Sequence, residues 1–144
     1  MTSILTRPSK GGIPLWVNLM QGALILIMAA QVVELFFDHD ALAEAGLSTK
    51  GEPSLNLLYT TGARLTVMII ISAFVMVTQN AAQFLVVLIM NVAREGFETI
   101  IDPLYPMANA PAPPIVDLAI HVVIVSIELA ALITVARIHR REVA

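Results

Sequence analysis

Four long runs of apolar residues dominate this chain, separated by short polar stretches: Pro14 to Phe37, Ser54 to Thr78, Ala81 to Asp102 and Ile115 to Arg137. Each has the roughly 20 residues that an α-helix needs to cross a hydrocarbon core about 30 Å thick. Pro14 and Pro114 stand where a first helical turn loses no backbone donor, and Asp102-Pro103 is expected to close the third span. Thr78-Gln79-Asn80 is so short a link that spans two and three must be antiparallel neighbours, and the Ala- and Pro-rich residues 106–114 read as a loop. The pattern predicts an all-α fold: one domain over residues 1–144, an antiparallel bundle of four transmembrane helices.

Composition agrees. Of 144 residues 58% are hydrophobic and 13% charged, and the mean hydropathy is +0.84. A soluble domain carries about a quarter of its residues as charges, so here a lipid bilayer is the expected covering. The net charge of −3, without a basic block, excludes nucleic acid as a partner. There are no cysteines, which excludes disulfides, thiolate metal sites and cysteine nucleophiles.

Orientation follows from basic residues near the span ends. Arg7 and Lys10 precede the first span, and Arg137, Arg140 and Arg141 lie at the end of the last, so both termini are expected in the cytoplasm. The stretch from Asp38 to Pro53 holds four acidic residues and only Lys50, and the loop after Asp102 has no basic residue; both are expected outside. Trp16, Tyr59 and Tyr105 stand near span ends, as interfacial aromatics do. Ala41-Leu42-Ala43 resembles a signal-peptidase site, but the apolar run before it is about twice the usual 7 to 15 residues, so the first helix is read as retained.

The candidate chemistry lies in ionisable residues inside the spans: Glu34, Arg64, Arg94, Glu95, Glu98, Asp117, His121 and Glu128. A charge left facing hydrocarbon is costly, so these are expected to look into the bundle. In the third span Asn91, Arg94, Glu95, Glu98 and Asp102 fall on one helical face, and in the fourth Asp117, His121 and Glu128 do the same. Two polar stripes are therefore expected to confront each other. At ~1.5 Å per residue Arg94 and His121 lie roughly 10 Å, and Arg64 roughly 14 Å, below the outer boundary, which predicts an outward-opening polar pocket.

Structural roles compete with this reading. Arg94 and Glu98 form an i, i+4 pair, Arg64 is placed to neutralise Glu95 or Glu34, and Asp117 in a first turn complements the helix dipole. Glu128 lies deepest; it is expected as a neutral acid hydrogen-bonded across helices, or as a partner of His121. Glu95-x-x-Glu98 facing Asp117-x-x-x-His121 has some likeness to bundle metal sites, but one intramembrane histidine beside two arginines argues against a metal, and none is assigned. No nucleotide-binding, zincin or serine-hydrolase motif occurs, and no cofactor is implied. Gly22, Gly62, Ala63, Gly96, Ala130 and Ala131 read as helix contact points.

An Arg two residues after Gly62, a tight turn, the third-span run Asn-Val-Ala-Arg-Glu-Gly-Phe-Glu ending in Asp-Pro, and a fourth apolar span resemble the DoxX-like group of small four-helix bacterial membrane proteins. The resemblance spans about residues 14 to 137 and implies the fold and a bacterial inner membrane, not any catalytic residue. Three functions are compatible. The first is a charged pocket for a small amphipathic or lipophilic ligand, with Arg64 and Arg94 as anion or carbonyl contacts, Glu95, Glu98 and His121 as proton-handling groups, and Asn91, Glu34, Asp117 and Glu128 lining it. The second is a non-catalytic subunit of a larger membrane complex. The third is a small proton-coupled transporter, working as a homo-oligomer.

Overall fold

The computed structural model describes residues 9, 12–106, 108–109 and 112–144. Arg7 and Lys10, on which the expected orientation partly rests, lie outside the described residues. The chain folds into helices α1 (Leu15–Phe37), α2 (His39–Glu44), α3 (Glu52–Thr78), α4 (Ala81–Leu104) and α5 (Pro114–Val143), and no strand forms among the described residues. Helices α1, α3 and α5 are long and apolar enough to cross a membrane. With 24 residues α4 is as long as α1, but it carries Arg94, Glu95, Glu98 and Asp102 and does not share that apolar character. The described residues are thus all-helical outside their loops, with three helices apolar enough to cross a membrane, and the four long helices match the four apolar runs to within a few residues at most boundaries.

Two helix ends and one additional element differ most from expectation. The helix expected to close at Asp102-Pro103 runs to Leu104, because a proline in the last turn forfeits one backbone donor without blocking the residues behind it. Helix α5 continues six residues past Arg137, and Arg140 and Arg141 in its last turn complement the dipole. Between the first two long helices, the Asp38 carboxylate accepts from the Ala41 amide at 3.1 Å and opens the unforeseen short helix α2.

Helix α1 packs along α3, and α4 along α5, with a smaller contact between α3 and α4. The α3–α4 turn is made by Gln79 in the left-handed region (φ 51°) and by Asn80, whose side chain accepts from the Gln83 amide at 3.1 Å. Around this turn lies the apolar core, formed by Ile13, Val17, Val75, Ala81, Phe84, Val87, Leu88, Ala131 and Val135. A polar clasp seals the same end. Asn18 and Gln79 exchange side-chain hydrogen bonds at 3.2 and 2.8 Å. Ser9 donates its amide to the Gln79 carbonyl at 2.9 Å and its hydroxyl to Glu142 at 3.2 Å. The first described residue and the end of α5 therefore lie together, at what we call the terminal end.

The opposite, loop end is held differently. The Phe36 ring of α1 stacks on Tyr59 of α3 with centroids 5.6 Å apart and planes within 8°. Gly62 admits that ring, since a Cβ there would stand 2.6 Å from Phe36. The two loops also meet, with Asn109 donating to the Glu44 carbonyl at 2.7 Å.

Candidate functional site

On α4 the residues Phe84, Leu88, Asn91 and Glu95 are buried at helical spacing, while Val86, Ile89, Phe97, Ile100 and Leu104 are exposed on the other side. One face of the helix is thus apolar and outward, and the other is apolar near the terminal end but polar towards the loop end. On α5 the buried stripe is Glu128, Ala131 and Val135, and His121 continues it towards the loop end with its side chain only 15% exposed. Because α4 and α5 are antiparallel and closely packed, the two polar stripes meet, as their spacing implied.

His121 is the centre of the contact. Its Nδ1 lies 3.0 Å from Glu95 Oε2, and its Nε2 lies 3.1 Å from Asp102 Oδ2 and 3.8 Å from Asp117 Oδ2. Asp102 belongs to the polar face of α4 that the spacing placed opposite α5. Arg94 pairs with the other carboxylate oxygen of Glu95 and approaches Glu98 at 4.0 Å. Glu95 is 4% exposed, so it is a buried carboxylate shared between a guanidinium and an imidazole. A neutral imidazole donates through one nitrogen only; with carboxylates at both, a gained proton is met by an acceptor on whichever side it enters. The arrangement is therefore suited to passing a proton between buried Glu95 and the half-exposed Asp102 and Asp117.

The same donors fall into two sets of three whose ligand atoms lie within 4.8 Å of one another: Glu95, Glu98 and His121, and Asp102, Asp117 and His121. In the first set the Arg94 guanidinium already meets the carboxylate charge, which is the competition that argued against a metal.

A second polar layer lies deeper. Asn91 of α4 donates to Gln21 Oε1 of α1 at 3.0 Å, with both residues buried. Gln21 Nε2 and both carboxyl oxygens of Glu128 are buried without a hydrogen-bond partner. The sequence singled out Asn91 and Glu128 in this layer but not Gln21, whose role depends on the approach of α1 to α4, which spacing within one helix does not reveal.

Several expectations are corrected. Arg64 is exposed on α3 and takes no ion pair with Glu95 or Glu34, because α3 packs against α1 and only marginally against α4. Glu34 is likewise exposed and has no ion-pair partner among the described residues. Glu128 is not hydrogen-bonded across helices, and His121, its expected partner, is occupied by Glu95, Asp102 and Asp117. Asn91, Glu95, Glu98, Asp117 and His121 do line the α4–α5 contact or its deeper continuation. Hollows among the described residues near the site include two that are apolar. One, of about 280 Å³, lies between α1 and α5, and the other, of about 440 Å³, lies along the loop-end part of α5. Neither is lined by Arg94, Glu95, Glu98 or His121.

Comparison with known protein families, with curated proteins and with solved structures gives no match for this chain.

Proposed function

We propose that the chain spans the membrane four times, with both termini cytoplasmic, and that the α4–α5 network is an outward-facing acid–base site for a small amphipathic ligand. The fourth span is α4. Its 24 residues measure about 36 Å, its outward face is apolar along the loop-end half, and its charges turn inward. An even number of crossings also agrees with the Ser9 to Glu142 bond, which holds the two chain ends at one end of the bundle. Arg137, Arg140 and Arg141 at that end favour the cytoplasm. The DoxX-like layout fits this topology and a bacterial inner membrane.

The observation that carries the function is the bridging imidazole. His121 joins Glu95, which is sealed from solvent, to Asp102 and Asp117, which are half-exposed at the loop end. A ligand arriving from outside would meet Asp102, Asp117 and Glu98 first, with Arg94 behind them as an anion or carbonyl contact. His121 would exchange a proton with the ligand and Glu95 would hold the compensating charge. The test is native mass spectrometry of the protein purified in a mild detergent. The wild type is expected to carry a bound small molecule that Glu95→Gln and His121→Gln release while remaining folded. If the variants keep the bound mass and lose only thermal stability, the network is structural and the accessory-subunit reading replaces this one.

A further inference from the structure

Asp117 and His121 stand one turn apart on the same face of α5, and Asp102 faces them from the last turn of α4. Three acceptor atoms gather there. Asp102 Oδ2 lies 3.1 Å and Asp117 Oδ2 3.8 Å from His121 Nε2, and all three fall within 4.8 Å of one another. Donors bound to one metal ion at ~2.1 Å stand roughly 3.0 to 3.4 Å apart at octahedral and tetrahedral angles, so small side-chain adjustments would seat an ion among these three.

The other ring nitrogen is already committed. Nδ1 meets the buried Glu95 carboxylate at 3.0 Å, and Glu95 is itself held by Arg94. An imidazole that donates from Nδ1 to a carboxylate presents its Nε2 lone pair on the far side, which is how metal-bound histidines are oriented. Among the described residues no group but His121 pairs with the Asp102 or Asp117 carboxylate. Charge points the same way. Arg94 lies with Glu95 and Glu98, so its objection to a metal applies to that inner set, and Arg64 is exposed on α3. With a neutral imidazole the outer set carries two negative charges, which a dication balances. The Asp102 and Asp117 side chains are 40% and 37% exposed, so the cluster is open to solvent at the loop end, where water can complete a coordination shell.

We propose that Asp102, Asp117 and His121 Nε2 bind a first-row divalent transition ion, with Glu95 as the positioning residue for the imidazole. One nitrogen and two oxygen donors without sulfur suit an ion of the Zn²⁺ or Co²⁺ kind, whereas Mg²⁺ and Ca²⁺ favour oxygen alone. The ion takes the place of a proton on Nε2. It therefore regulates the acid–base site, and this consequence, unlike the binding itself, rests on the role proposed for His121.

The binding is tested by calorimetric titration with Zn²⁺ and Co²⁺ of the full chain, tag-free in a mild detergent and stripped with a chelator. One ion per chain is expected, and excess Mg²⁺ is not expected to displace it. The Co²⁺ form is expected to show a strongly shifted imidazole N–H proton resonance, slow to exchange because Nδ1 is sealed against Glu95; His121→Gln should abolish both the resonance and the binding. Asp102→Asn and Asp117→Asn, at half-exposed positions, are expected to melt near wild type and each to weaken binding at least about tenfold. Glu95→Gln should weaken it by about 10- to 100-fold, and Glu98→Gln should change it little. Three results would each overturn the proposal: no saturable binding by the wild type, full binding by either aspartate variant, or loss of binding in Glu98→Gln while both aspartate variants still bind. A wild type that binds Zn²⁺ but carries no small molecule would lose the acid–base role and keep the metal site.

Discussion

His121 of α5 stands with its Nδ1 3.0 Å from the carboxylate of Glu95 on α4, a residue 26 positions earlier and 4% exposed. Two helices joined by a loop are locked in register at this point, because the pair forms only if the antiparallel packing is right to within a turn. Glu95 is also the contact of Arg94, so removing it takes the shared acceptor from both a guanidinium and an imidazole.

A double-mutant cycle measures that relationship. Glu95→Gln and His121→Gln are each expected to lower stability in detergent, with a coupling energy of about 1 kcal/mol, in the range found for interhelical contacts in membranes. Thermal or denaturant unfolding of the four proteins of the cycle provides the value. Strict additivity would mean that the two side chains do not interact.

The Asn91 to Gln21 hydrogen bond, 3.0 Å and wholly buried, ties α4 to α1. Asn91→Leu alone strands the Gln21 amide and is expected to cost about 1–3 kcal/mol, whereas the Asn91→Leu, Gln21→Leu pair is expected to be near wild type. Unfolding in detergent again discriminates, since an uncoupled pair would show the sum of the two losses.

Gly62 is required by the Phe36 ring. A methyl group there would stand 2.6 Å from the ring edge, so Gly62→Ala is expected to destabilise by about 1–3 kcal/mol. Adding Phe36→Leu should recover most of that loss, and the recovery of the melting temperature is the readout.

Since the chain has no cysteine, its topology can be read from single introduced thiols. Lys50→Cys and Asn109→Cys are expected to react with a membrane-impermeant maleimide added to intact cells. Thr78→Cys and Ala144→Cys should react only after lysis. Labelling of Thr78→Cys on intact cells would place the α3–α4 turn outside and remove α4 from the membrane.

How much of the site was legible depended on which residues are local. Spacing within one helix placed Asn91 and Glu95 on a buried face, and Asp117 and His121 on another, because a 3.6-residue repeat dictates which side chains share a side. It was silent about which helix each face meets. Arg64 looked like a partner for Glu95 from its depth, yet α3 packs against α1. Asp102 was placed on the right face by its spacing, but that it meets His121 Nε2 is decided by how α5 lies along α4.

Taken alone, the order of residues determined that the chain builds long, largely apolar helices joined by short links, because apolar length and sparse charge are properties of segments. Tertiary structure alone decided that His121 bridges Glu95 to Asp102 and Asp117, that Gln21 meets Asn91, and that Glu128 is left beside an open groove. Those are distances between segments, and they follow from which helix pairs with which: a balance of packing, glycine clearance and buried hydrogen bonds summed over the whole bundle.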